Sequence, residues 1–426
     1  MQPEIETEDR RKVRQPVAFD RFRCIGANCE DTCCIGWGVP VDRETYEKYQ
    51  NAPALQVAGR PLSDLVDINP AGSSNGDYAR LRLESAVCPA LTEQLCGIQI
   101  SGGESYLPDL CLKYPRVLNV LGETVERSLH LSCPEAARLV LTDPDAMVFH
   151  DGEEARPPYR PSLLNFVADD PDDRLFRVRM LLIELIQERS LPLWQRIGAM
   201  GSAVDSLAGV DLADAVPVLE DYLIHFRLGM FNDALAAPQS DSKFQLETVL
   251  EVVVARLSSD YTPRRFLDCY RDFMLGLAWT PDTMIEDLVV RYDFACRRYF
   301  LPFVHRHEHL FENYLISYIF RTVFPYRSKL AGRKFAIDSS RESLQHSFVL
   351  LALHFAILRT LLVGMSALYK DDLKIEQAVR LVQGFSKAFV HSTSFDSAAF
   401  EYLQKTVPDP ASKVTELVMD SPEFVP

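Results

Sequence analysis

The chain runs to 426 residues with 47% hydrophobic and 25% charged side chains, enough for a sizeable core and too long for one ordinary compact domain. Its formal net charge of −15, from 60 acidic and 45 basic residues, argues against nucleic-acid binding, which needs a basic face, and suits a cationic partner. The charged N-terminus MQPEIETEDRRKVRQP lacks the apolar segment of a signal peptide, and the most apolar stretch, Phe348 to Leu368, is broken by His354 and Arg359. A buried helix is expected there, not a membrane span, in a cytoplasmic protein without a membrane partner.

In chain order, residues 1–16 read as a disordered tail. A small irregular cysteine-rich module follows over 17–141. Eight of the ten cysteines fall in it: Cys24, Cys29, Cys33, Cys34, Cys88, Cys96, Cys111 and Cys133. In a reducing compartment such thiols are metal ligands or catalytic groups more often than disulfides. The first group reads C-x4-C-x3-C-C, with Gly26, Asn28 and Asp31 interleaved, residues that let backbone wrap closely around a metal centre. The second patch lies about fifty residues on, so the site is expected to fold two loops together. Structural zinc favours paired C-x2-C knuckles, and none occurs. An iron–sulfur centre, with 4Fe-4S in view, is therefore the first expectation for these eight ligand candidates; zinc is second and free thiols third. The C-x3-C-x2-C pattern of radical enzymes is not met, because position 36 is glycine.

Within the module, Asp42 is expected to cap a helix ending at Gln50, and Ala71–Asp77 reads as a loop. Ser132 is expected to cap a helix that begins at Pro134 and runs to Leu141. Residues 142–172, rich in Asp and Pro, read as a linker. From 173 to 426 the apolar spacing turns helical: Leu175, Val178, Leu181, Leu182, Leu185 and Ile186 make one face. Similar runs occur at 212–228, 246–257, 263–277, 284–299, 310–324, 344–368 and 373–390. The expected architecture is mainly α, the cysteine module followed by a larger all-helical domain. Cys269 and Cys296 read as ordinary buried thiols, His354 and His391 as core or interface histidines, and the His305, His307, His309 run lacks companion carboxylates. Rossmann, P-loop and nucleophile-elbow motifs are missing.

The string from Phe22-Arg23-Cys24 to Trp37, with Val41-Asp42 and Tyr46–Tyr49, resembles the start of the flagellin lysine N-methylase family. So do Cys88-Pro89-Ala90-Leu91, Cys96-Gly97-Ile98-Gln99, Cys111 with Tyr114-Pro115-Arg116, and Glu126-Arg127 to Ser132-Cys133-Pro134-Glu135-Ala136-Ala137. Near the other end, Gln383-Gly384-Phe385-Ser386-Lys387 with His391 is similar too. The resemblance implies methyl transfer from S-adenosylmethionine to lysine side chains of flagellin, by a protein of a cysteine-cluster class that binds zinc or iron–sulfur. Glu30, Asp31, Trp37, Tyr114 and Arg116 stand beside the cysteines; Trp37 is expected to face the donor's sulfonium and Arg116 to bind its carboxylate. A catalytic base is not identified, and oligomeric state is left open. The competing reading is a non-enzymatic cluster- or zinc-binding module: a carrier, redox sensor or interaction protein.

Overall fold

The computed structural model describes residues 10–72, 75–155, 164–231, 241–258, 261–280, 282–331, 334–391, 393–406 and 410–420. Among these the chain is mainly helical, with a sheet-bearing N-terminal region. Residues 1–9 of the expected tail and 156–163 of the expected linker lie outside the described residues.

The rest of the tail and linker departs from expectation. Arg10–Pro16 is a strand, parallel to Thr124–Leu129 on one side and antiparallel to Phe149–Ala155 on the other. Arg116–Leu121 pairs with Thr124–Leu129 as a hairpin, and Phe166–Ala168 closes the five-stranded sheet at its far edge. Two strands of this sheet thus come from the expected linker, and one from the expected tail. The physical reason is charge complementarity. In the register, Lys12 opposes Glu153, Arg11 opposes Glu154 and Arg14 opposes Asp151. Arg14 Nε bonds Asp151 Oδ1 at 2.7 Å, and Lys12 Nζ bonds Asp173 Oδ2 at 2.7 Å. Composition alone marks each segment as solvated; only their pairing removes the charge.

The sheet does not stand alone. Leu121, Ala168 and Ala18 share one apolar core with the long helices. Across that contact, Arg179 on the Arg174–Ile186 helix makes a two-pronged bond to Glu126, with both contacts at 2.7 Å and both side chains 1% exposed. The expected all-helical domain therefore carries a sheet on one flank, and also a hairpin, Arg327–Ala331 with Lys334–Asp338.

The cysteine module has a separate small core of Val39, Val41, Tyr49, Leu62, Val66, Leu81 and neighbours. Its elements are short: a three-stranded sheet of Pro40–Val41, Ala79–Leu81 and Val66–Ile68, and two ribbons. Asp42 caps Arg43–Gln50 as expected, accepting from the Thr45 amide at 2.9 Å.

The helical runs fall where spacing put them. The Arg341–Tyr369 helix is long and apolar enough by composition to cross a membrane, yet its apolar window is wholly buried by its neighbours. It packs against Arg264–Gly276 so closely that a Cβ on Gly276 would stand 1.9 Å from the Gly364 carbonyl oxygen. Cys269 and Cys296 are fully buried in this core. The last expected run, 373–390, is an α-helix over Ile375–Phe385 that widens into a π-turn over Ser386–Val390.

Candidate functional site

The two cysteine patches meet. Cys34 accepts from the Cys88 amide at 2.8 Å, and the Gly36 amide donates to the Ala86 carbonyl at 3.0 Å. Gly36 sits at φ +102°, and a Cβ there would press to 2.9 Å of the Tyr261 ring, so only glycine fits this turn. Each remaining cysteine stands at the end of a short element. Cys29 closes the turn Gly26–Asn28, Cys96 precedes the helix Gly97–Gly102, Cys111 lies on Asp109–Lys113, and Cys133 precedes Pro134–Thr142.

The thiols form two neighbourhoods. Cys33, Cys34 and Cys88 are linked by hydrogen bonds, with Cys96 and Cys111 in electrostatic reach. Cys24 and Cys29 lie toward Cys133. The bond with Cys34 pushes the Cys33 thiol well up, burial pushes Cys111 up, and burial pushes Cys133 to about 12. Cys88 alone moves down, through its bond with Cys34. Buried thiols in such company resist ionisation, a balance that a bound cation reverses. Among the described residues no set of three or more His, Cys, Asp or Glu side chains stands in a metal-holding arrangement. The donor chemistry fits a thiolate-ligated centre: soft, numerous and drawn from both loops.

Beside the thiols lies a polar constellation that joins the two ends of the chain. Lys387, on the π-turn, donates to both oxygens of Asp31 at 2.9 Å and to the Thr32 carbonyl at 2.8 Å. Gln383 donates from Nε2 to Asp31 Oδ2 at 3.0 Å and to the Ser132 carbonyl at 2.8 Å. Arg265 holds the other end of that amide, donating to Gln383 Oε1 at 2.7 Å. His391 Nε2 is 2.8 Å from Ser132 Oγ, which lies 3.0 Å from the Tyr114 hydroxyl. The rings stack in sequence: Tyr114 to Trp37 at 5.2 Å, Trp37 to His391 at 4.7 Å, His391 to His130 at 4.1 Å.

Burial here is uneven. Gln383, Ser132 and Lys387 are buried, whereas Cys33 and His391 are exposed, so the constellation lines an open recess. Desolvation by the surrounding protein holds His391 down at about 4, so its ring is neutral at pH 7. Burial likewise holds His130 well below the usual imidazole range.

Of the expected donor-binding residues, Trp37 is central, but the Lys387 ammonium already lies 5.6 Å from its ring centroid. Arg116 has its guanidinium over Phe22 at 5.2 Å, in the small cluster that also holds Cys133 and Tyr114. Glu30 is exposed. Ser132 is not the helix cap: Cys133 is the N-cap residue, without a side-chain bond, and the Ser132 hydroxyl is turned to His391 and Tyr114 instead. Only the family resemblance points to Gln383 and Lys387 from the sequence. A buried lysine in an apolar helical run was the signal available for them.

Residues 179–412 match the FliB lysine N-methylase C-terminal domain. The chain is 32% identical over 142 residues to a lysine-N-methylase of Salmonella typhimurium, covering 33% of this chain and 35% of that protein. It is 32% identical over 138 residues to the flagellar biosynthetic protein FliU of Salmonella muenchen, covering 32% of this chain and 80% of that one. A lysine-N-methylase of Salmonella choleraesuis matches at 31% over 142 residues, again 35% of its length. The match thus spans about a third of the curated lysine-N-methylases. No solved structure matches.

Proposed function

The chain belongs to the FliB lysine N-methylase family, and on that premise we propose that it methylates lysine side chains of flagellin, with S-adenosylmethionine as donor and an iron–sulfur cluster on its cysteine loops. The observation that carries this reading is the meeting of Gln383, Lys387 and His391, from the matched family domain, with Asp31, Trp37 and Ser132 of the cysteine region. The domain that the family shares is thereby completed by the thiol loops.

The attacking lysine must first lose a proton, because its lone pair has to meet the methyl carbon as the bond to sulfur breaks. An aromatic, partly dry recess favours the neutral amine, and Trp37, Tyr114 and the neutral His391 ring supply one. The exposed edge of His391 gives the released proton a route to solvent. Asp31 is held by Lys387 and Gln383, so its charge is already answered and it positions the loop. Cys33, Cys34, Cys88, Cys96 and Cys111 would hold the cluster, with Cys24, Cys29 and Cys133 as the neighbouring set. A cluster in this place would supply a rigid staple for two loops and a redox-active neighbour to the recess. The net charge of −15 speeds encounter with a lysine-bearing partner.

The test is twofold. Protein purified without oxygen should carry about four irons and four sulfides per chain, lost in Cys34→Ser and Cys111→Ser. The same protein should add methyl groups from labelled donor to flagellin lysines, read by mass spectrometry. Stoichiometric zinc without sulfide would remove the cluster from this reading, and absence of label on flagellin would remove the substrate.

A further inference from the structure

A second polar site lies in the helical body, away from the thiols. It is a cavity of about 260 Å³ walled by Tyr318, Phe324, Tyr326, Arg327, Ser347 and Asp396 among others. Charges of both signs face it, and they do not pair with each other. Asp396 Oδ1 lies 3.6 Å from His354 Nε2, and the bond of Arg327 is to His346. Tyr326 is 2% exposed, yet its hydroxyl has no hydrogen-bond partner; nor do Asp396 Oδ1 and the neighbouring Tyr314 hydroxyl. Buried polar atoms without a protein partner are uncommon in folded proteins and are met by ordered water or by a ligand.

We propose that this cavity receives the α-amino-acid end of the methyl donor, with the ammonium at Asp396, the carboxylate at Arg327 and the sulfonium against the aromatic wall. The proposal rests on the reading that the chain uses S-adenosylmethionine. Three features select this class of ligand. An acid and an arginine on one small cavity match a zwitterion, and the Tyr326 hydroxyl offers the carboxylate a further donor. Tyr318 and Phe324 meet edge to face at 6.5 Å, and their rings give a cationic sulfur a favourable face. The volume falls just below the range of about 300–1,000 Å³ for sites that enclose a drug-sized ligand, so it suits one end of the donor. A peptide lysine would answer Asp396 but leave Arg327 beside a second positive charge.

The cavity and the thiol recess share one cationic neighbour. Arg321 interacts electrostatically with Asp396, Tyr314 and Tyr318, and also with His391 and His130. Asp396 itself is on the Thr393–Thr406 helix, which begins just after His391. A donor anchored here by its amino-acid end would therefore be held close to the recess.

Calorimetric titration of the full-length, anaerobically purified protein with S-adenosylmethionine tests the assignment. Asp396→Asn and Arg327→Gln should each weaken binding by about tenfold or more, the loss of one charge-assisted contact. Tyr326→Phe removes only an unpartnered hydroxyl, so it should weaken binding while leaving the melting temperature of the free protein unchanged. Equal affinity in all three variants overturns the placement and leaves the proposed function standing. Failure of the unsubstituted protein to bind the donor overturns both. Competition for the cavity by an N-acetyl-lysine amide would reassign it to the acceptor and overturn the proposal.

Discussion

At the scale of single residues, the Asp31–Lys387 pair is the contact that most sharply ties sequence ends together. The Lys387 side chain is 3% exposed and Asp31 17%. That asymmetry ranks two substitutions. Asp31→Asn strands a buried ammonium and should cost about 3–5 kcal/mol. Lys387→Met fills the same space and leaves a carboxylate that reaches water, so it should cost less. Urea unfolding at neutral pH measures both, and a reversed order would show that the pair does not dock the loop as described. Asp31 was legible in the sequence, because it interleaves the thiols. Its partner lies 356 positions away, and no local pattern announces a bond of that span. Ser132 shows the opposite error. Its place before Pro134 reads as a helix cap, but the hydroxyl serves His391, a competitor that only the tertiary fold brings near.

At the scale of elements, helices were the readable part and short strands were not. The run Pro263–Leu277 and the helix Arg264–Gly276 agree because one apolar face repeats with the helical period. Arg10–Pro16 carries no such period; its signal is the acidic partner strand. This pairing has a pH signature. The bond from Arg14 holds the Asp151 carboxyl below its ordinary value. A depressed folded pKa contributes stability that is fully present above the unfolded value, about 4, and is lost as pH falls through the lower folded one. Asp151→Asn should therefore flatten the acid side of the stability profile below about pH 4 and change little at pH 7 beyond a constant offset. Parallel profiles for both proteins in acid would show that the cross-strand pair carries none of the acid sensitivity.

At the scale of the whole molecule, the sheet and the helices share a core, and the joint between them is ionic. Glu126 and Arg179 are both 1% exposed, and Arg179 also reaches the Phe320 carbonyl at 3.1 Å. Removing one partner leaves a charge with no water, so Glu126→Gln should cost about 3–5 kcal/mol. Differential scanning calorimetry should show one transition moved to lower temperature; a sheet melting separately from the helices would show that the joint is not what couples them. The sheet crosses the expected boundaries at 141 and 172, because Phe149–Ala155 and Phe166–Ala168 join it. Composition is a property of each segment alone, whereas the sheet pairs strands about 140 residues apart, beyond any local window. The cysteine region, by contrast, has a small core of its own.

The π-turn at Ser386–Val390 acts as a phase corrector. Gln383, Lys387 and His391 are spaced by four, and in an α-helix each fourth residue overshoots the last by about 40°. Two such steps would fan the side chains across about 80°. A π-turn carries more residues per revolution and so undershoots over the same interval, setting one error against the other. A chain shortened here by one residue would regain a regular helix and lose the common bearing of its three site side chains: the better helix would make the worse site.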